Sequence, residues 1–270
     1  MKKLLLFSIA IFSFWSCRSD DHQEENFNRK TDLAIENLKA KVKSVQEQLF
    51  HVNKDSGSLL FEAENKEFTP KGFLSKYFLW EKESEKSNIL KGLPSEVFTL
   101  EYDVQDRLIR KNNESILNTG FSTYEHDDKG NVIVEKRFFE VGNLSRKITS
   151  KYDFKNNLIE QNIYDNQGTH LFTDKYIYNQ KGQKIEFITT SVNNRDFTTK
   201  EVYSYDAKGN LSSLKIFKGE DQKIFLERRY TYTKFDVKGN WTERKIQSNI
   251  DGVDSSHMYI LDVRTIEYYQ

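Results

Sequence analysis

Asp103, Asp127, Asp153, Asp206 and Asp236 recur along the chain at near-regular intervals. A ladder of carboxylates is the kind of set that binds calcium or acts as a general acid and base on a glycosidic bond. Each of these aspartates stands at the start of a turn, where the side chain bonds its own backbone, and no turn supplies the several oxygens of a calcium loop. The five histidines, His22, His51, His126, His170 and His257, are scattered. His126, beside Asp127 and Asp128, has the residue types of an acid–base pair, although its place at the end of a strand accounts for it as a simple substitution. His-Glu-x-x-His, Gly-x-Ser-x-Gly, Gly-rich phosphate loops and Cys-x-x-Cys are all missing from the sequence. The expectation is a non-enzymatic protein with no catalytic residue, no cofactor and no metal.

The tyrosines are more regular. Tyr176, Tyr203 and Tyr230 are spaced by 27 and 27 residues, as are Tyr178, Tyr205 and Tyr232. Two aromatic ladders on one face of equivalent strands therefore follow. Stacked rings serve either as core or as an exposed platform on which sugars lie. With 37% hydrophobic residues of which many are aromatic, and 30% charged, few other side chains are available to cover a sheet. The pairs are accordingly expected to be core, leaving any ligand to the opposite face or the hairpin tips.

Elements that carry these residues follow from the turns. The segments starting at Tyr102, His126, Tyr152, Tyr178, Tyr205 and Phe235 share one pattern, best seen in Tyr203-Ser-Tyr-Asp-Ala-Lys-Gly-Asn-Leu211. Its turn position holds Asp106, Gly130, Asn156, Gly182, Gly209 and Gly239, in steps of 24, 26, 26, 27 and 30 residues. All are residue types that tolerate positive φ, as a type I turn closed by a Gly-type bulge requires. A looser set of turns lies midway, near Gly142, Gly168, Asn194, Gly219 and Gly252. Strands of roughly nine residues joined as antiparallel hairpins are the result. In the last unit Phe235 stands three residues after Tyr232, an odd offset that reverses the face and calls for a bulge near Thr233 and Lys234. The fold class is mainly β: an antiparallel β-meander of hairpin repeats, as a single curved sheet or an open barrel-like form, after a short helix expected within Thr31 to Val45 on its capping Thr/Asp pair and on Leu33, Ile35, Leu38 and Val42.

This pattern resembles the YD repeat of rearrangement-hotspot (Rhs) and teneurin-type proteins over about residues 100 to 245. In that family many repeats spiral into a β-shell around a toxin domain and have been linked to carbohydrate contact. Six units enclose little, so the resemblance implies a short relative built from the same hairpins and not a shell with cargo.

The N-terminus carries an address. Lys2 and Lys3 precede an apolar stretch from Leu4 to Trp15, and the only cysteine follows at Cys17. Twelve residues cover about 18 Å of a hydrocarbon layer about 30 Å thick, so this is an export signal and not a membrane span. Ser16 before Cys17 resembles the tolerant lipobox of Bacteroidota-type lipoproteins, which implies cleavage before Cys17 and diacylglycerol and palmitate-type chains on it. Residues 1–16 then form the signal peptide, 17–30 a flexible tether, 31–99 the helix and leading strands, and 100–270 the repeat meander. The full chain has 41 basic and 41 acidic side chains. Without Lys2 and Lys3 the balance is 39 against 41, a net charge near −2 that gives no basic field for nucleic acid. The combined expectation is a lipid-anchored protein of the cell envelope, at the outer membrane, on its periplasmic or its exterior side. Its repeat sheet would bind or scaffold a glycan or another envelope protein. The alternatives are a toxin-system component, as delivery part or immunity factor, and, less favoured, an envelope glycan hydrolase.

Overall fold

The computed structural model describes residues 30–53, 57–81, 93–115, 119–193, 198–219, 223–250 and 258–270. The export signal, Cys17 and most of the tether lie outside them, as do His22 and His257. Sixteen strands follow one another: β1 (Val42–Asn53), β2 (Gly57–Phe68), β3 (Leu74–Glu81), β4 (Glu96–Tyr102), β5 (Leu108–Ser115), β6 (Gly120–His126), β7 (Val132–Phe139), β8 (Leu144–Tyr152), β9 (Leu158–Asp165), β10 (His170–Tyr178), β11 (Lys184–Ser191), β12 (Thr199–Tyr205), β13 (Leu211–Lys218), β14 (Lys223–Phe235), β15 (Trp241–Ile250) and β16 (Met258–Tyr268). Each pairs antiparallel with its neighbours in sequence, and β1 pairs with β16, so the meander closes into a barrel. An even number of strands makes this possible, because the first and last then run in opposite directions. Closure leaves no sheet edge for other chains to extend. Strands β1 to β4, which precede the recognisable repeats, are staves of the same barrel.

Alternate hairpins turn at the same end. Here, in every unit, the N–H of the fourth turn residue donates to the carbonyl of the first, as from Gly209 to Asp206 at 3.1 Å, and the N–H of the first donates to the carbonyl of the fifth, as from Asp206 to Asn210 at 2.8 Å. The fourth position takes φ of +57° to +85°, at Asp106, Gly130, Asn156, Gly182, Gly209 and Gly239. That is the left-handed region, open to Gly and tolerable for Asn and Asp. A register shift follows each turn, for example between Lys151 and Tyr152 or between Ser204 and Tyr205, so the bulge is built into the repeat. In the last unit the register slips at Tyr232/Lys234 and again at Lys234/Phe235, where the odd offset calls for a bulge.

The expected helix is much shorter than its apolar pattern. Only Asp32–Ile35 are helical, capped by Thr31 Oγ1, which accepts from Ala34 N at 3.2 Å. Asn37 and Ala40 take φ of +54° and +67°, which ends the helix, and Val42 already belongs to β1. Tertiary contacts override propensity here. Residues 30–41 are instead drawn across the turn end of the barrel. Lys30 Nζ donates to Asn157 Oδ1 at 2.7 Å, Leu33 N to Gly72 O at 3.2 Å, Asn37 Nδ2 to Asn210 Oδ1 at 3.3 Å and Lys39 N to Asn240 Oδ1 at 2.7 Å. The apolar positions are nonetheless buried: Leu33, Leu38 and Val42 join Val45 and Phe68 in a cluster that covers this end.

All six ladder tyrosines lie on the inner face. Tyr203 is 6% exposed and packs with Leu214, Ile216 and Leu226, flanked by Tyr205 and Tyr230, while the intervening Ile177, Ser204 and Thr231 face outward. Several inward tyrosine hydroxyls reach back to the preceding hairpin. Tyr152 donates to Val132 O at 3.0 Å, Tyr205 to Lys184 O at 2.6 Å and Tyr232 to Leu211 O at 2.9 Å. In the last unit Tyr232 thus performs the task for which Phe235, at the motif position, has no hydroxyl. Tyr205→Phe should therefore cost about 1 kcal/mol and Tyr205→Ala about 3 kcal/mol in chemical denaturation. Equal stability of the two variants would remove the hydroxyl from this account.

Candidate functional site

The repeat aspartates are consumed by their turns. Asp127 Oδ1 accepts from Lys129 N at 3.0 Å and from Asn131 N at 2.8 Å, and its Oδ2 accepts from Asn131 Nδ2 at 2.9 Å. Asp103, Asp153, Asp206 and Asp236 accept the same pair of backbone bonds. Asp127, beside His126, is thus engaged by its own turn. Among the described residues no three His, Cys, Asp or Glu side chains converge on a metal-sized site.

Sequence spacing did not reveal the densest group of titratable side chains, which lies inside the barrel wall on β1, β2, β15 and β16. Arg244 Nε donates to Asp262 Oδ2 at 2.6 Å, and Arg244 Nη2 lies 3.4 Å from Glu47 Oε1. Arg264 Nε binds the other oxygen of Glu47. The Trp241 ring is held between the two guanidiniums, whose Cζ atoms lie 4.2 Å and 3.6 Å from its centroid. Lys66 pairs with Glu64 and, at 3.5 Å, with Glu36 of the covering segment. Tyr77 donates to Glu64 Oε2 at 3.0 Å.

Glu36, Glu47, Glu62, Glu64 and Asp262 meet Lys66, Arg228, Arg244 and Arg264 in this group, one cation short of neutrality, and burial also raises Glu62 to about 7. One carboxyl is therefore expected to hold a proton near neutral pH. Burial pushes Asp262, with no exposed surface, up to about 7 against the pull of Arg244. Burial would raise Glu47 as well, but Arg264 and Arg244 together hold it down at about 2. Two carboxyls pushed apart in this way are what general acid–base chemistry needs. Both are closed to solvent, with Glu47 5% exposed, so the proton that burial favours on Asp262 lies within the wall. Lys184, at a position the motif fills with Leu or Val, is a second buried charge. Burial lowers it to about 8, and its ammonium lies 4.5 Å from the Tyr203 ring.

The outer wall is polar. Neighbouring strands are joined across it by Lys136–Glu125 at 2.7 Å, Lys151–Glu160 at 2.8 Å, Lys200–Glu186 at 3.0 Å, Lys215–Glu227 at 3.7 Å and Lys234–Glu243 at 2.6 Å. Flat apolar features interrupt it, among them Phe78 and Trp80 on β3, which stack with centroids 5.9 Å apart. Phe121 and Phe138, directly opposite each other on β6 and β7, stack with centroids 4.9 Å apart, and the Arg110 guanidinium lies 4.0 Å from the Phe121 centroid. Arg110 Nε in turn donates to Asn112 Oδ1 at 2.7 Å.

No family model and no curated protein matches the chain. Among solved structures, a porin-like protein from Bacteroides uniformis superposes with a TM-score of 0.57 at 12% identity, over 85% of this chain and 99% of that one. A porin-like protein from Bacteroides vulgatus gives 0.46 at 10% identity, over 82% and 97%. A TcdB2–TccC3 toxin complex gives 0.36 at 15% identity, over 80% of this chain and 11% of that one. The first likeness is one of fold.

The charge pair makes opposite contributions to stability at the two ends of the pH scale. Asp262, raised above its ordinary 3.8, binds its proton more tightly when folded, so its contribution falls as pH rises through about 7. Glu47, lowered from 4.5, contributes above that value and loses its contribution as pH falls toward about 2. Asp262→Asn should therefore flatten the decline in melting temperature between about pH 4 and pH 7. Melting curves of wild type and variant that stay parallel across this range would exclude a proton held at Asp262.

Proposed function

We propose that the chain is a non-enzymatic lipoprotein of the bacterial cell envelope, anchored at the outer membrane through Cys17. Its barrel stands in water and presents a surface for a glycan or another envelope protein. The observation that carries this reading is the charged outer wall. A lysine or arginine on the lipid face of a transmembrane barrel costs about 2–4 kcal/mol at mid-membrane, and lysine–glutamate pairs recur on this wall from β6 to β15. A porin-like fold with such a wall is better suited to water than to hydrocarbon, and it needs another attachment, which the export signal and lone cysteine supply.

The outward Phe121–Phe138 pair is the surface best suited to a sugar. Flat rings offer an apolar face to a pyranose, and Arg110 and Asn112 beside them supply donors and an acceptor. The inward tyrosine ladders are occupied by packing.

Fractionation of cells producing Cys17→Ala should move the folded barrel from the membrane to the soluble fraction, whereas retention in the membrane would refute the anchor. In a glycan array and an envelope pull-down, Phe121→Ala with Phe138→Ala should lose retention while the barrel still folds cooperatively. Undiminished retention would exclude this ring pair as the binding surface.

A further inference from the structure

The hairpin tips at the turn end share a feature that the capping aspartates do not explain. After the first turn residue comes an outward residue and then, in most units, a lysine: Lys71, Lys129, Lys155, Lys181, Lys208 and Lys238, all exposed. The residues just before them include Phe154, 83% exposed, and Val237, 99% exposed, with Val104 at 99% on the tip where glutamine stands in place of lysine. Apolar side chains at the apex of a turn gain nothing from the fold. The carboxylates that open these turns point back onto backbone N–H groups and Asp106 pairs with Lys71 at 2.6 Å, so the charge displayed outward at the other tips is mainly positive, with Asp128 the exposed acid among them. Val141, an exposed tip at the opposite end, is followed by Gly142 and Asn143 and has no such lysine.

The chain enters the barrel at this same end. Lys30 is bonded to the Asp153–Asn157 turn, and residues 30–41 lie across the ring of turns. Thirteen residues, Cys17 to Arg29, precede Lys30. They span at most about 45 Å when extended, with a root-mean-square reach of about 20 Å. A lipid on Cys17 would therefore hold the turn end, and not the loop end, against the bilayer at high effective concentration.

We infer that the turn end of the barrel is a docking face for an anionic phospholipid surface, with the tip lysines at the phosphates and Phe154, Val104 and Val237 in the headgroup layer. The geometry rests on anchoring at Cys17, whereas the chemistry of the face does not. Lysines near an anionic leaflet add their attractions, and apolar tips reach the acyl boundary where charged ones would not. Bound this way, the barrel axis stands away from the membrane and the loop end is presented outward.

The test is lysine acylation by a water-soluble reagent on the full chain, reconstituted on vesicles containing phosphatidylglycerol or on phosphatidylcholine alone, and read by mass spectrometry. Lys129, Lys155, Lys181, Lys208 and Lys238 should be labelled about fivefold more slowly on the anionic vesicles, relative to the wall residues Lys147, Lys175 and Lys245, and the difference should vanish at high salt. The combined variant Lys155→Glu, Lys181→Glu, Lys208→Glu should lose the protection while keeping its melting temperature. Equal labelling of tip and wall lysines, equal protection on both vesicle types, or protection surviving in the variant would each overturn the inference. The same spectra show whether the Cys17 peptide carries acyl chains. If it carries none, the anchor fails, and vesicles added to the unlipidated chain decide the docking face by the same comparison.

Discussion

One carboxylate oxygen accepting two backbone N–H bonds, from the residues two and four positions ahead, is the unit from which this molecule is assembled. It recurs at Asp103, Asp127, Asp153, Asp206 and Asp236, with Asn179 taking the same role by its amide oxygen. The bond pair holds the turn in a shape whose fourth residue is left-handed, and this shape places a bulge at the same register in each hairpin. Because a one-residue slip would turn a strand inside out, the fixed turn also fixes which side chains enter the barrel. The fifth turn residue then points inward at the end of the ring. At Asn157, Asn210 and Asn240 it binds the segment that crosses that end. The cover of the barrel is thus held by by-products of its turns.

Turn chemistry is local, and that is why so much of the architecture was legible. Gly209 and Gly239 mark their positions without reference to anything distant, and the odd spacing of Tyr232 and Phe235 was enough to place a bulge. The helix is shorter than its sequence pattern for the opposite reason. Ala34 to Val45 contains good helix formers, but the partners that pull Asn37 and Lys39 out of a helix are Asn210 and Asn240, which lie 173 and 201 residues further along the chain. Closure of the sheet belongs to the same class, since the complementarity of Val45 with Ile266 and of Glu47 with Arg264 leaves no mark on either strand alone. The buried charges were invisible too. Glu47, Arg244 and Asp262 read as ordinary alternating polar residues until the barrel brings them to one wall.

The inner face is divided accordingly. On β12 to β14 it is an apolar core of Tyr203, Leu214, Ile216 and Leu226, and on β1, β2, β15 and β16 a network of ions surrounds Trp241. Replacing buried pairs by apolar side chains is often neutral or stabilising, so the ionic sector is weak evidence for stability by itself. Its effect is to make the join between the first and last strands specific: Arg264 and Glu47 face each other across the seam, and Arg244 ties a third strand to both. An apolar seam would tolerate slippage that a matched set of charges does not.

That seam joins the two ends of the sequence. β1 cannot complete its pairing until β16 has been made, so the contact that closes the barrel has nearly the greatest separation the chain allows. Loop closure on that scale is slow, and a growing chain carries two open strand edges until it is finished. Folding should then be nearly all-or-none, with the repeat hairpins forming early and the ring late. An interrupted copy would not be a smaller barrel but a sticky sheet. If the chain is exported as proposed, this topology favours holding it extended and unpaired until its last strand arrives.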